Sequence, residues 1–467
     1  MRALDAVTDR LAAPLSGGER ARAVAVLARI ATGLVLLHQA LDSLGFVALL
    51  GPQAAPAAGR WMLGTAAASA LLVAGLMTPL ALGWLIYVFA FASSTGSLGN
   101  QVTLVLLWGL LLLNAGRFGS ADALLARRWP RLLGWLYALG HDPVPGKALG
   151  LVRLGLLVLF WGVCLVAMVW HARDDYWRSG EALPMALTGP FYSDWSGRFR
   201  ALAEWSPGLF WAACAAGLAV QSAWEVLLVP LVFWKPARWF VRWQGVGFFA
   251  CSVVLLNLQY LPVVELCLWL LLFGDSFGAA KDEAAAPARP VVGTAFAFGS
   301  LAAVGLLIGL ALAHPSYLHR ETASRRELLV RRALGLFGQR LVSVFNKADL
   351  ELNRPFMVIH EVDGEGRHLR LVPCFDTHGT RLRYMRNDIL CYHFAIPWQH
   401  APIEDKFLGG DPARPGPFSL RVARSVSALD ARLNRLAGTR RYRVEIYRRE
   451  LLAGAAPSRW GKAARVA

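Results

Sequence analysis

LVRLGLLVLFWGVCLVAMVW, residues 151–170, carries one charge in twenty residues, and HARDDYWRSGEAL, residues 171–183, follows it at once. A helix needs about 20 apolar residues to cross the hydrocarbon core, so the first stretch reads as a membrane crossing. The second crowds Asp, Arg, Glu, His, Tyr and Trp against its end. Either it is a solvated loop outside the bilayer, or it is the polar rim of a chamber enclosed by helices.

The same contrast runs through the chain. Its 467 residues are 56% hydrophobic and only 17% charged, which argues against water-soluble packing and for repeated membrane crossing. Most of the net charge of +17 lies after residue 314, where long apolar runs end. Two domains are therefore expected, a transmembrane helical domain at 1–313 and a soluble basic α/β domain at 314–467. Residues 1–22 carry four arginines and three acids before any apolar run, unlike a cleavable signal peptide. Six cysteines include no CxxC pair, so no metal site is expected. Cys164, Cys214, Cys251 and Cys267 fall inside apolar runs, where they pack as small hydrophobes. Cys374 and Cys391 lie in the soluble part, where an oxidising compartment would let them pair.

Nine apolar segments are long enough to consider as crossings: 23–49, 61–77, 80–96, 102–115, 149–170, 207–233, 238–258, 261–274 and 291–313. Pro79, Gly116 and Pro262 mark turns or helix ends. With the N-terminus inside, the inner segments hold fourteen Lys and Arg and the outer loops five, the asymmetry expected of cytoplasmic loops. Nine crossings then place residues 314–467 outside, in the periplasm if the membrane is a bacterial inner membrane. In that domain RPFMVIHEV, RHLRLVPCF and RLRYM are extended runs separated by DGEG and DTHG turns. SLRVARSVSALDARLNRLAG has helical periodicity, and RRYRVEIYRRE alternates again as a strand.

Ionisable groups within a bilayer are costly, so they face the bundle interior and pair or line a cavity. His38 and Asp42 are four apart on the first segment, and Gln221 and Glu225 repeat that spacing on the sixth. A histidine held by a carboxylate is a chemically sensible base. Glu265, Arg153, Asn257, Asn100, Gln101 and Asn114 complete the inward polar set. The competing reading is structural: Arg29, Arg153 and Asp42 snorkel to an interface, and the amides join helix to helix. Ala295, Gly299 and Ala303, spaced by four, read as a close-packing face. No Walker loop, GxGxxG or HExxH is present, since HEVDG at 360–364 lacks the second histidine. Scattering of the C-terminal arginines among acids argues against nucleic acid as a partner.

Taken in order, ARIATG (28–33), GLMTPLALGWLIYV (75–88), GNQVTLVLLWGLLLLNAGRFGSADALLARR (99–128), LVRLG (151–155), YWRSG (176–180), QSAWEVLLVPLVFW (221–234) and GLFGQRLVSVFN (335–346) resemble the vitamin K-dependent gamma-carboxylase family and its bacterial relatives, the HTTM-domain proteins. The resemblance covers about residues 22–385. It implies a helix bundle around a quinone site, and a lysine base just before a Trp-x-x-Gly motif, here Trp177 to Gly180. No lysine lies between Lys147 and Lys235, and the family's Asn-His at the start of the fourth helix is here Asn100-Gln101. The scaffold is thus expected without the known lysine chemistry.

The expectation is a bundle of about nine transmembrane helices under a C-terminal extramembrane α/β domain. Membrane lipids surround it, and a quinone, hydroquinone or lipid binds near Asn100, Gln101, Arg153, Trp177, Gly180 and Glu225. If catalysis persists, His38, Asp42 and His171 are the candidate bases of a quinol-linked enzyme. The remaining alternative is a noncatalytic maturation or assembly factor for a secreted partner.

Overall fold

The structure is a computed structural model that describes residues 2–18, 20–44, 55–92, 98–189, 192–256, 258, 260–277, 291–313, 325–340, 355–371, 376–378, 441–451 and 460–465. Asn257, the linker at 281–290, Cys374, Cys391, the RLRYM run and the helical reading of 419–438 lie outside the described residues.

The helices are α1 (Arg2–Ala12), α2 (Ala21–Leu44), α3 (Ala55–Ala74), α4 (Thr78–Tyr87), α5 (Leu98–Leu112), α6 (Ala121–Leu125), α7 (Pro130–Leu136) and α8 (Lys147–His171). There follow α9 (Asp175–Arg178), α10 (Ala182–Thr188), α11 (Ser196–Trp205), α12 (Pro207–Phe233), α13 (Ala237–Leu255), α14 (Leu261–Phe273), α15 (Val291–Ala313) and α16 (Arg325–Leu336). The chain is mostly helical, and a helix lies in each of the nine apolar segments. Five, Ala21–Leu44, Pro56–Ala74, Lys147–His171, Pro207–Phe233 and Val292–Ala313, are long and apolar enough to cross a membrane by length and composition. Pro79 and Pro262 each stand in the first turn of their helix, where the missing N–H costs nothing.

α8 is the central post, buried along nearly its whole length and packed by α15, α12, α5 and α1. Glycine makes the approach of α15 possible, because a Cβ on Gly155 would lie 2.4 Å from Phe296 and one on Gly162 2.5 Å from Val304. The facing stripe of α15 is Gly293, Ala297, Ser300, Val304, Leu307 and Ala311. This corrects the sequence reading: Ala295 and Gly299 are exposed, and nothing lies near a Cβ built on Gly299. An all-apolar helix offers several small-residue stripes, and spacing alone does not tell which one meets a neighbour. Pro230, inside α12, cannot bond the carbonyl of Val226 four residues back. That carbonyl instead accepts from Trp161 Nε1 of α8 at 2.9 Å, which ties the two helices where the ladder is broken.

A second polar knot closes the loops at one end of the bundle. Asp122 Oδ1 accepts from the Met77 N–H at 2.8 Å, and Oδ2 accepts from the Thr78 N–H at 2.9 Å and from Tyr137 Oη at 2.5 Å. Asp122 thus caps α4 from 44 residues away, a job the local residue Met77, at φ 48°, cannot do. Burial, and then the bond to Asp122, push the Tyr137 hydroxyl above its ordinary pKa. Buried Arg29 donates to the carbonyls of Ala115, Phe118 and Gly119, the end of α5 and its turn, where free carbonyls favour a cation. It does not snorkel.

Outside the bundle, β1 (Pro355–Val362), β2 (His368–Leu371), β3 (Arg441–Leu451) and β4 (Trp460–Arg465) form an antiparallel sheet in the order β2-β1-β3-β4. The β1–β2 turn is held by Asp363, whose Oδ1 accepts from the N–H groups of Glu365 and Arg367. His360 stacks on His368 with centroids 4.0 Å apart. Burial, and then that second ring, hold its pKa below the ordinary imidazole value of 6.5, against the pull of Glu445.

Two outcomes follow. Asp122→Ala strands two buried donors and one half-buried donor and is expected to destabilise the bundle by roughly 2–4 kcal/mol, with Asp122→Asn losing less, as read by thermal unfolding in detergent. The unfolded chain takes up the His360 proton more readily than the folded sheet does. Sheet stability should therefore be full above about pH 6.5 and fall as the pH drops through that value, as followed by amide exchange on β1 and β3, and His360→Gln should flatten the profile.

Candidate functional site

Three helices bring one layer of polar side chains together. Four rings, Phe160 of α8, Trp224 of α12, Phe249 of α13 and Trp269 of α14, pack mutually with centroids 5.4–6.5 Å apart. Gly245 admits Trp269, since a Cβ there would meet the indole at 2.4 Å. Cys164 is one turn from Phe160, Glu265 one turn from Trp269, and Glu225 next to Trp224. Glu265 lies within electrostatic range of Glu225, and Cys164 within range of both. Gln221 Nε2 donates to Glu225 Oε1 at 2.7 Å, while its own Oε1 is buried without a partner among the described residues.

Glu265 is buried and Glu225 half-buried, yet among the described residues neither makes an ion pair. Carboxylates in such a place must be satisfied by a proton, a ligand or a hydrogen-bond donor. The sequence singled out Gln221, Glu225 and Glu265 but read Cys164 as packing alone. The missed signal is that a polar residue sits beside or one turn from an aromatic on each of three helices.

The contrast with Arg153 is complete. Arg153 Nη1 lies 2.9 Å from Asp275 Oδ2, with 1% and 0% of the two side chains exposed, and the same oxygen accepts from the Gly18 N–H at 2.9 Å. Gly17, at φ 86°, has no room for a Cβ against Leu149 at 2.5 Å and Asp275 at 2.9 Å. Arg153, offered from sequence as a ligand-binding residue or a snorkelling cation, is an internal strut. Its carboxylate partner was not recognised from sequence.

The other candidates separate into distinct places. Exposed His38 meets Tyr260 Oη through Nδ1 at 2.6 Å, and Asp42 is half-buried one turn further along α2. α2 packs on α3 and α14, while α12 packs on α8 and α13, so the His38 and Gln221 pairs sit on helices that are not principal packing partners. His171 is buried at the end of α8, its ring stacked on Trp177 with centroids 3.5 Å apart. Asp174 Oδ1 accepts from the Tyr176 and Trp177 N–H groups and so starts α9. Gly180, at φ 78°, ends the turn with nothing near its Cβ position. Arg173 donates to the Ala311 and Leu312 carbonyls at the end of α15. The stretch after residue 170 is therefore a run of short helices and capped turns.

No family model, curated protein or solved structure matches the chain. Function must therefore be argued from the polar groups themselves. Asn100 is half-buried in the first turn of α5. Gln101 beside it is 1% exposed, and its Oε1 accepts from the Arg340 N–H at 3.2 Å. Gln101 Nε2 is buried without a partner among the described residues, a condition that costs about 1–3 kcal/mol. No group of three or more His, Cys, Asp or Glu able to hold a metal ion occurs among the described residues. The atoms present suit hydrogen bonding and proton exchange.

Cutting the strut tests the division into framework and site. Arg153→Met leaves Asp275 charged and buried and should cost roughly 3–5 kcal/mol. The double variant Arg153→Met/Asp275→Leu should recover most of that loss in thermal unfolding, and Glu265→Gln should cost far less.

Proposed function

We propose that the chain is an integral protein of a bacterial cytoplasmic membrane. On this reading all nine apolar helices cross, the N-terminus is cytoplasmic, and the basic α/β domain is periplasmic. The scaffold is that of the HTTM and gamma-carboxylase-like family, without the family's lysine. The bundle binds a quinone- or lipid-sized ligand that enters from the membrane.

The observation that carries the reading is the carboxylate layer of Glu225 and Glu265, set against four aromatic rings and lacking a countercharge among the described residues. A protonated carboxyl donates to a quinone carbonyl, and an ionised one accepts from a quinol hydroxyl. The four rings, packed on one another and almost fully buried, give the carboxylates an apolar surrounding. Gln221 Oε1 adds an acceptor with no other employment among the described residues. The enzymatic alternative, a quinol-linked reaction with His171 as base, rests on one feature: that ring is buried against Trp177 at the rim.

Decylubiquinone added to the purified full-length protein in lipid nanodiscs should bind saturably and quench tryptophan fluorescence. Glu265→Gln and Glu225→Gln, which keep side-chain volume, should each weaken binding roughly tenfold, about 1.4 kcal/mol. Absence of saturable binding by the quinone and by co-purified lipid would overturn the reading. Quinol oxidation that survives His171→Ala unchanged would remove the enzymatic alternative.

A further inference from the structure

The end of α16 is seated against the bundle. α16 ends in a Schellman motif, with the Gln339 N–H bonded to the Leu334 carbonyl at 2.9 Å and the Gly338 N–H to the Gly335 carbonyl at 3.1 Å. Gly338, at φ 75°, supplies the left-handed residue that motif requires. The tip, residues 335–340, then reaches α5, α8 and the π-helical turn Val88–Ala92. Trp108 Nε1 donates to the Leu336 carbonyl at 2.8 Å and stacks on Phe337 with centroids 5.5 Å apart. Gln339 Nε2 donates to the Leu159 carbonyl at 2.9 Å, and Arg340 Nη2 to the Ala90 carbonyl at 2.6 Å. A Cβ on Gly338 would lie 2.4 Å from the Gln101 carbonyl oxygen and 3.2 Å from Val105.

The seat mixes apolar and polar contacts: Leu336 and Phe337 pack against the core, and Gln101, Gln339 and Arg340 are hydrogen-bonded beside them. Bonding of one half of each amide fixes its orientation: the Arg340 N–H points Gln101 Oε1 at the tip, and the Leu159 carbonyl points Gln339 Nε2 at α8. Each amide is left with one buried atom, Gln101 Nε2 and Gln339 Oε1, that has no partner among the described residues. Seating the tip therefore strands a donor and an acceptor that water would satisfy if the tip withdrew. Its anchors are carbonyls of elements whose own ladders do not need it. α16 also leaves Leu328 44% and Leu329 65% exposed.

We propose that residues 335–340 are a retractable plug, held by Arg340 and Gln339, that closes the α5–α8 side of the bundle and withdraws with α16. Through it the extramembrane domain controls entry to the interior. The proposal rests on the reading that the bundle admits a ligand only for what passes the plug; the motion is tested without one.

The experiment uses the full-length chain in nanodiscs, with every native cysteine except Cys267 replaced and Val105→Cys added. Both reporters are buried, Val105 at 0% and Cys267 at 5% exposure, but only Val105 touches the plug. Maleimide should label the Val105→Cys thiol slowly. Arg340→Ala should speed that labelling roughly tenfold or more while leaving Cys267 unchanged. Gln339→Leu, which cuts the bond to the Leu159 carbonyl, should speed it as well. Equal rates at Val105→Cys in all three proteins overturn the proposal. So does either variant accelerating both reporters together, or Gln339→Leu slowing Val105→Cys. These outcomes are independent of quinone binding, so failure here leaves the carboxylate layer to be judged on its own test.

Discussion

A charge sealed from water must be answered by another charge, and the Arg153–Asp275 pair is where this bundle meets that demand. It joins the start of α8 to the turn after α14, and the Gly18 N–H brings in the N-terminal arm. The arm is clamped further by Lys147 on Asp9 at 2.8 Å, by the Gly146 N–H on the Ser16 carbonyl at 2.8 Å, and by Gly150, where a Cβ would lie 2.3 Å from the Ala12 carbonyl oxygen. α8 is the helix most others touch, so fixing its first turn fixes the bundle. Replacing such a pair with apolar groups is often harmless, but removing one partner is not. The pair therefore sets geometry more than it adds stability.

Polar groups along the bundle divide by whether they are answered. Arg29, Asp122, Tyr137, Arg153 and Asp275 have partners in fixed geometry. Together they tie the Ala21 end of α2, the far end of α5 and the Lys147 end of α8. Toward the opposite ends lie Gln101 Nε2, Gln339 Oε1 and Gln221 Oε1, with no partner among the described residues, and two carboxylates without a countercharge. Selection for stability alone would replace these with leucine, because each stranded atom costs about 1–3 kcal/mol. Unpartnered atoms occur at the framework end too, Arg29 Nε, His141 Nε2 and Arg153 Nε among the described residues, so the two ends differ in the pair of carboxylates that has no countercharge among the described residues.

The helical segments were legible because twenty apolar residues in a row leave few alternatives, and Pro79 and Pro262 punctuated them. The strands at 355–362 and 441–451 were legible from alternation. Their pairing with each other, across nearly eighty residues, was not. Neither was the strand Trp460–Arg465, whose WGKAAR lacks an alternating apolar face. Local pattern reports how a segment can fold but not which distant group answers it. Arg29 finds its carbonyls 86 to 90 residues away and Arg153 its acid 122 away, so both looked free to snorkel. Gln101 and Glu225 were legible as inward polar groups, whereas the tip that covers Gln101 was hidden in a segment taken to open the soluble domain.

Chemistry narrows the proposed reading further. The lysine base implied by the gamma-carboxylase resemblance has no counterpart beside the rings, and Lys147 is paired with Asp9 at the framework end. Arginine stays protonated and cannot serve. What remains near the aromatic rings are carboxylates, which exchange protons with hydroxyl groups and quinone oxygens. His171 could act only on a ligand that reaches the rim, since its ring is already stacked on Trp177. On the proposed reading, the residues at the centre recognise an oxygen-bearing head group and the protons attached to it, a task that needs no lysine.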